Sequence, residues 1–449
     1  MPTVSPSSLL TLAVSLALSA GAAADPTLLK VSGSVRGPDG GWDYVSLDTV
    51  TNRLYVARSY GVMAVDLANN KVTPVLIKGN HVHGVLPLPG GTMVSTNDDS
   101  STATLFKAED GVVLASFHTG RKPDAIAYEG KTGLVAVMNS KDGTVILIDP
   151  VKQTEVGRIT VGGTLEFAEG DGQGRVFVNV KDHNELAVLD IAGRNVAARY
   201  MLPQCDSPTG LALDTPAKIA LATCENAKAV ALSTEDGHVV ATLPIGDGPD
   251  AAILDAKKKR FLIPCGGNGV LTIIGEKPDG TLTVDGTIPT AKGARTGAID
   301  PATGKLYLPT ADFEARKPGD WQGAIVPGSF RILVLSERRS ATAAPTRASD
   351  DSGFKRPGTS LRMTNAKQGS PATAQGGPIG LDFMLTLHNA NGQTKIIGDA
   401  DPIKMHRGQP FTLRLGARRH GDPPAFHWAA LQRSEQPSLE VPRNVAHEL

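Results

Sequence analysis

The sequence predicts an all-β protein, a seven-bladed β-propeller closed by an N-terminal strand, and three observations carry the prediction. One segment returns seven times at a spacing of about 42 residues. Turns rich in Gly, Asp, Asn and Thr-Gly cut each copy into four short runs of alternating apolar residues, the period of a half-buried strand. The last copy stops one strand short, and an unattached strand precedes the first. Seven four-stranded units without helical periodicity fit radially arranged blades.

The copies begin at Trp42, Val82, Pro123, Leu165, Pro208, Pro249 and Ala294. In the first, "TNRLYVARSYGVMAVDLANNKV" (51 to 72) supplies the second to fourth strands. The seventh ends at its third strand, "FRILVLSE", and "TLLKVSGSV" (27 to 35) reads as the missing fourth. Donating that strand to the last blade would remove two exposed sheet edges at once. The propeller is therefore expected over residues 25 to 338.

Bulk composition limits the function. The chain has 449 residues, 41% hydrophobic, with Lys+Arg and Asp+Glu equal at 45 each. A sequence-independent nucleic-acid binder needs a basic surface to release counterions, so nucleic acid is disfavoured as a partner. Residues 1 to 24 read as a signal peptide: Leu9 to Ala20 form an apolar run too short for a bilayer, and an A-x-A site follows at Ala22 to Ala24, although no Lys or Arg precedes the run. No later run reaches the ~20 apolar residues of a membrane helix. A periplasmic or secreted monomer, in a compartment that permits disulfides, is expected.

The repeat resembles the YVTN, or YncE-like, seven-bladed propeller repeat of exported bacterial proteins. "TNRLYVAR" (51 to 58), "VMNSKDGTVILID" (137 to 149), "VVATLPIGDGPDAAILD" (239 to 255) and "DPATGKLYLPT" (300 to 310) carry the likeness, which covers residues 27 to 338. The resemblance implies a fold and little about activity.

Aligning the copies places one residue of each blade at the mouth of the central channel: Asp43, His83, Asp124, Glu166, Thr209, Asp250 and Arg295. Such a ring could bind a small polar ligand, act as acid and base, or use Asp43, Asp124, Glu166 and Asp250 to hold a divalent cation such as Ca²⁺, which takes six to eight oxygens. It could equally be a solvated, charge-balanced entrance. No other cofactor is implied. The expected function is a binding protein for a small polar ligand, a cation or a protein partner. The alternatives are a lactonase or esterase-type hydrolase whose channel metal polarises a carbonyl, with a carboxylate or His83 as base, and a scaffold for another envelope protein.

Other polar residues should gather near the same face: Arg58, Tyr60, Asn97, Asp98, Asn139, Lys141, Lys181 and His183. The long insertion at 309 to 329 could cover the mouth with Phe313 and Trp321. In "NHVHG", His81 and His83 share a strand face, but two histidines alone make a weak metal site. Nucleophile-elbow, zinc-protease, phosphate-loop and dinucleotide motifs are all lacking. Cys205 and Cys224 flank adjacent antiparallel strands and suit a disulfide; Cys224 with Cys265 is the rival pairing.

Beyond the array the composition changes. Residues 339 to 377, rich in Ser, Thr, Ala, Pro and Gly, read as a disordered linker. Residues 378 to 449 alternate again and include an Asn-Gly hairpin signal at 391 and 392, a possible small β module.

Overall fold

The structure, a computed structural model, describes residues 29 to 315 and 323 to 337 in full, and the backbone of four strands between 381 and 433. The expected signal peptide, the linker and Trp321 lie outside the described residues. The chain divides into two compact units, residues 1 to 346 and 347 to 449.

The first unit is the expected propeller. Its blades are seven four-stranded antiparallel sheets whose strands follow chain order. Blade one, for example, runs Trp42–Asp48, Arg53–Arg58, Gly61–Asp66 and Lys71–Lys78. Blade seven is composite: Ala298–Ile299, Leu306–Thr310 and Arg331–Glu337 are completed by Leu29–Arg36. That closing strand pairs antiparallel with Arg331–Glu337, from Leu29 opposite Glu337 to Arg36 opposite Arg331, and buries Leu29 and Val35. Only single 3-10 turns, Lys181–His183 and Ala256–Lys258, interrupt the strands among the described residues. No helix there is long and apolar enough to cross a membrane.

Apolar side chains fill the spaces between neighbouring blades. Ala136, Met138, Val145 and Leu147 of blade three pack with Val176, Val178, Ala187 and Leu189 of blade four. At the seam, Leu54, Val56, Met63 and Val65 of blade one meet Tyr307, Phe330 and Ile332 of blade seven. Arg58 belongs to this seam and not to the open face where the sequence placed it. Its guanidinium is fully buried, lies 3.7 Å from the centroid of the Phe330 ring, and donates to the carbonyls of Pro38, Gly40 and Gly41. Burial lowers its pKa to about 10, which leaves it charged at neutral pH.

Cys205 and Cys224 form a disulfide, with Cα atoms 5.4 Å apart, and Cys265 is free and buried. The second unit contains one antiparallel sheet, ordered Thr394–Ile397, Leu381–Asn389, Phe411–Arg419, His427–Arg433. Its first two strands pair across residues 390 to 393, so the strands beside the Asn-Gly signal do form a hairpin, although the turn itself lies outside the described residues.

Candidate functional site at the channel mouth

The innermost strand of each of blades one to five departs from regular pairing at the same place, just after its ring residue: between Trp42 and Val45, Val82 and Val85, Pro123 and Ile126, Leu165 and Ala168, and Pro208 and Leu211. A bulge of this kind re-aims side chains and ends strict in-out alternation. Side chains of neighbouring blades then fix the freed backbone. Thr96 donates to the carbonyl of Asp124, Asn179 to that of Thr209, Thr209 to that of Pro249, and Thr296 to that of Asp43. The ring is thus laced from blade to blade.

Residues one place beyond the ring are small in most blades because the inner strands crowd together. A Cβ on Gly84 would come within 2.6 Å of the Asp124 carbonyl oxygen, and one on Gly210 within 2.4 Å of the Ala251 backbone. Blades one and four carry aromatic rings there instead. Tyr44 and Phe167 meet edge to face at 5.0 Å, and Tyr44, although from blade one, packs in a cluster with Ala125, Ala127, Leu165 and Ala168 of blades three and four. Tyr44 therefore crosses the channel, and with Phe167 it obstructs the bore. The sequence reading missed Tyr44, because alternation assigns it the face opposite Asp43.

The structure brings six of the seven expected ring residues into one network. Asp43 accepts from Nδ1 of His83 at 2.5 Å, with Asp124 3.9 Å and Asp98 3.5 Å from that imidazole. Lys122, also missed, stands 3.4 Å from Asp124. Lys181 approaches Glu166 at 3.9 Å and pairs with Glu225 at 2.8 Å. Arg295 donates to Asp250 at 2.8 Å and to the Trp42 carbonyl. The seventh residue, Thr209, turns away: it is buried in the wall against Thr223 and the Pro249 carbonyl.

Crowding sets the electrostatics. Burial pushes the Glu166 carboxyl up to about 8, aided by Asp124 and opposed by Lys181. Burial raises Asp124 to about 6 against the pull of His83, and raises Asp250 against that of Arg295. Burial opposes protonation of His83, but the Asp43 hydrogen bond and the charges of Asp124 and Asp43 outweigh it and lift the imidazole to about 9. The phenol of Tyr44 is held well up by burial and then by Glu166, Asp124, Asp250 and Asp43 together. Further along the inner strand of blade four, burial raises Glu169 to about 7 although it accepts from the Leu213 amide.

Of the second expected cluster, Asp98 and Lys181 reach this network. Asn97 and Asn139 are buried and bond within their own blades, to Thr104 and Thr144. Phe313 lies on Trp42 with ring centroids 6.1 Å apart and bridges to Ile325 in the insertion. Two groups among the described residues could each converge three ligand atoms on an ion: Asp43, His83 and Asp124, and His81, His83 and Asp98. Glu166 and Asp250 belong to neither.

No protein-family profile and no curated protein matches the sequence. The fold does match solved structures of WD40 type. The RRP9 WD40 repeats align with a TM-score of 0.57 at 12% identity, over 68% of this chain and 97% of that one. U3-55K aligns at 0.57 and 11%, over 69% and 99%. A chain of a mitotic checkpoint complex aligns at 0.55 and 13%, over 67% and 96%. At these identities the likeness establishes the fold alone, a seven-bladed propeller.

Proposed function

We propose that the protein is an exported β-propeller that binds a small polar ligand bearing a cationic group at its channel mouth. One observation carries this reading: carboxylates from four blades, Asp43, Asp124, Glu166 and Asp250, converge closely enough to act together on the single phenol of Tyr44. Their cationic partners are unequally shared. Arg295 bonds Asp250 directly, whereas Glu166 has Lys181 only at 3.9 Å, and Lys181 is already paired with Glu225. An ammonium or amidine entering from the open face would give Glu166 the direct partner it lacks and displace a proton from it. Affinity should therefore rise between pH 6 and pH 8, as the Glu166 carboxyl, held at about 8, becomes easier to ionise.

The Cys205–Cys224 disulfide and the pattern of residues 1 to 24 support export. The motifs between 27 and 338 support membership of the YVTN or YncE-like group. The test is calorimetry of the full chain against small amines, amino acids and Ca²⁺ at pH 6 and pH 8. The expected result is one-to-one binding of an organic cation with proton release at pH 8, weakened at least tenfold by Glu166→Gln. Binding of Ca²⁺ alone, or of nothing in the panel, sinks the reading and leaves a cation site or a scaffold.

A further inference from the structure

We infer that His81, His83 and Asp98 form a binding site for a divalent transition-metal ion of the Zn²⁺ class at the rim of blade two, with Asp43 orienting His83 from behind. The site shares Asp43 and His83 with the ring just described but uses neither Glu166 nor Asp250, and it does not rest on the ligand binding proposed there.

The imidazole of His83 is the centre of the argument. Its Nδ1 is engaged by Asp43 at 2.5 Å, which fixes the ring and turns Nε2 toward the rim. That Nε2 is buried and makes no hydrogen bond, and the side chain as a whole is only 12% exposed. A buried imidazole nitrogen without a hydrogen bond is costly. A carboxylate on one ring nitrogen with the other nitrogen facing a metal is the usual arrangement around histidine ligands, because the carboxylate fixes the ring and raises its basicity; here the ion must displace the Nε2 proton as it binds.

Two further ligands stand where that nitrogen points. The Asp98 Oδ2 is 3.5 Å from His83 Nε2 and 3.7 Å from His81 Nδ1, and one ligand atom of each residue lies within 4.8 Å of the others. Metal-to-ligand bonds of about 2.0 to 2.2 Å in a tetrahedron place neighbouring ligand atoms about 3.4 Å apart, so small side-chain movements suffice. Two imidazoles and one carboxylate suit Zn²⁺ and its neighbours and do not suit Ca²⁺, which needs six to eight oxygens. Asp99 lies 3.8 Å from His81 but outside the converging group, so the fourth position is left for a solvent molecule.

The backbone of His81 adds an independent observation. It holds φ at 56°, in the left-handed region, at the turn two residues before the ring. The same slot is left-handed in four other blades, filled by Lys122 at 53° and Ser207 at 52° as well as by Gly248 at 63° and Gly293 at 81°. Glycine adopts this conformation without a Cβ penalty, whereas histidine is strained there. In blade two this left-handed slot carries an imidazole, which packs against His83 with ring centroids 4.6 Å apart.

The test uses purified full-length chain, freed of metal and titrated with Zn²⁺ by calorimetry, with Co²⁺ as a spectroscopic substitute. One equivalent should bind, and Co²⁺ should show the visible bands of a four- or five-coordinate ion. His81→Gly suits the local backbone, so the metal-free variant should melt no lower than the parent, yet its Zn²⁺ affinity should fall at least tenfold. Asp98→Asn should weaken binding similarly, and Asp43→Asn about 10- to 100-fold through loss of the orienting contact. No stoichiometric Zn²⁺, or Zn²⁺ held equally well by His81→Gly and Asp98→Asn, would overturn the assignment. Glu166→Gln should leave Zn²⁺ affinity unchanged, so this site and the organic-cation pocket can fail separately.

Discussion

Blades two and five are copies of one unit, yet they treat the mouth position in opposite ways. The inner strand of blade five, Pro208–Asp214, is buried along its whole length, and Thr209 directs its hydroxyl into the wall. A disulfide locks the entry to that strand. The inner strand of blade two, Val82–Leu88, is partly open, and His83 faces the mouth with Nε2 making no hydrogen bond and Asp98 3.5 Å away. The repeat therefore specifies where a side chain starts. Whether the wall can satisfy it decides whether it is structural or available.

The comparison is broken most forcefully from the blade-five side. Replacing both Cys205 and Cys224 with Ala releases a crosslink 19 residues apart in sequence and should lower unfolding free energy by about 3 kcal/mol in denaturant titrations. Zn²⁺ affinity should not move; if it falls together with stability, the two blades are not independent. A smaller effect of opposite sign is expected at Glu166. Its carboxyl is raised in the folded chain to about 8 from 4.5, so the folded state disfavours the ionised form and loses stability as pH rises from about 4.5 through 8. Glu166→Gln should therefore stabilise the protein by about 2 kcal/mol at pH 9, a magnitude reduced by the open mouth, and by almost nothing at pH 4. Equal melting curves at both pH values would show that the carboxyl is not held protonated. The smallest effect sharpens the contrast: Thr209→Val leaves the Pro249 carbonyl without its donor and should cost about 1 kcal/mol while ligand and metal binding stay as they were.

The fold was legible because it is periodic. Seven copies, four runs per copy and a missing last strand are sequence facts, and the closing strand expected at 27 to 35 is observed at Leu29–Arg36. Alignment by copies also found the ring, since each blade offers the same slot. What periodicity could not show was the departure from it. The bulge after each ring residue in blades one to five allows Tyr44, next to Asp43, to cross the bore, and strict alternation hides such a residue. Arg58 illustrates the same limit. An arginine at a strand end reads as exposed, and only the packing of Phe330 and the three nearby carbonyls shows that it is enclosed. Asp98 was visible as a polar loop residue, but its approach to His81 and His83 depends on the turn after Thr92–Asn97, which the sequence does not place in space.

The composite seventh blade also governs the order in which this molecule can be made. Ser32 bonds the carbonyl of Val334, a contact spanning 302 residues of chain. Contacts so distant in sequence form late, because the intervening loop must be ordered first. A chain emerging from its N-terminus holds Leu29–Arg36 without a partner until Arg331–Glu337 is synthesised, so six blades can assemble while the circle stays open. Completion of the ring then acts as a single terminal event, and the mouth, whose Thr296-to-Asp43 bond spans the same seam, acquires its final geometry only at that moment.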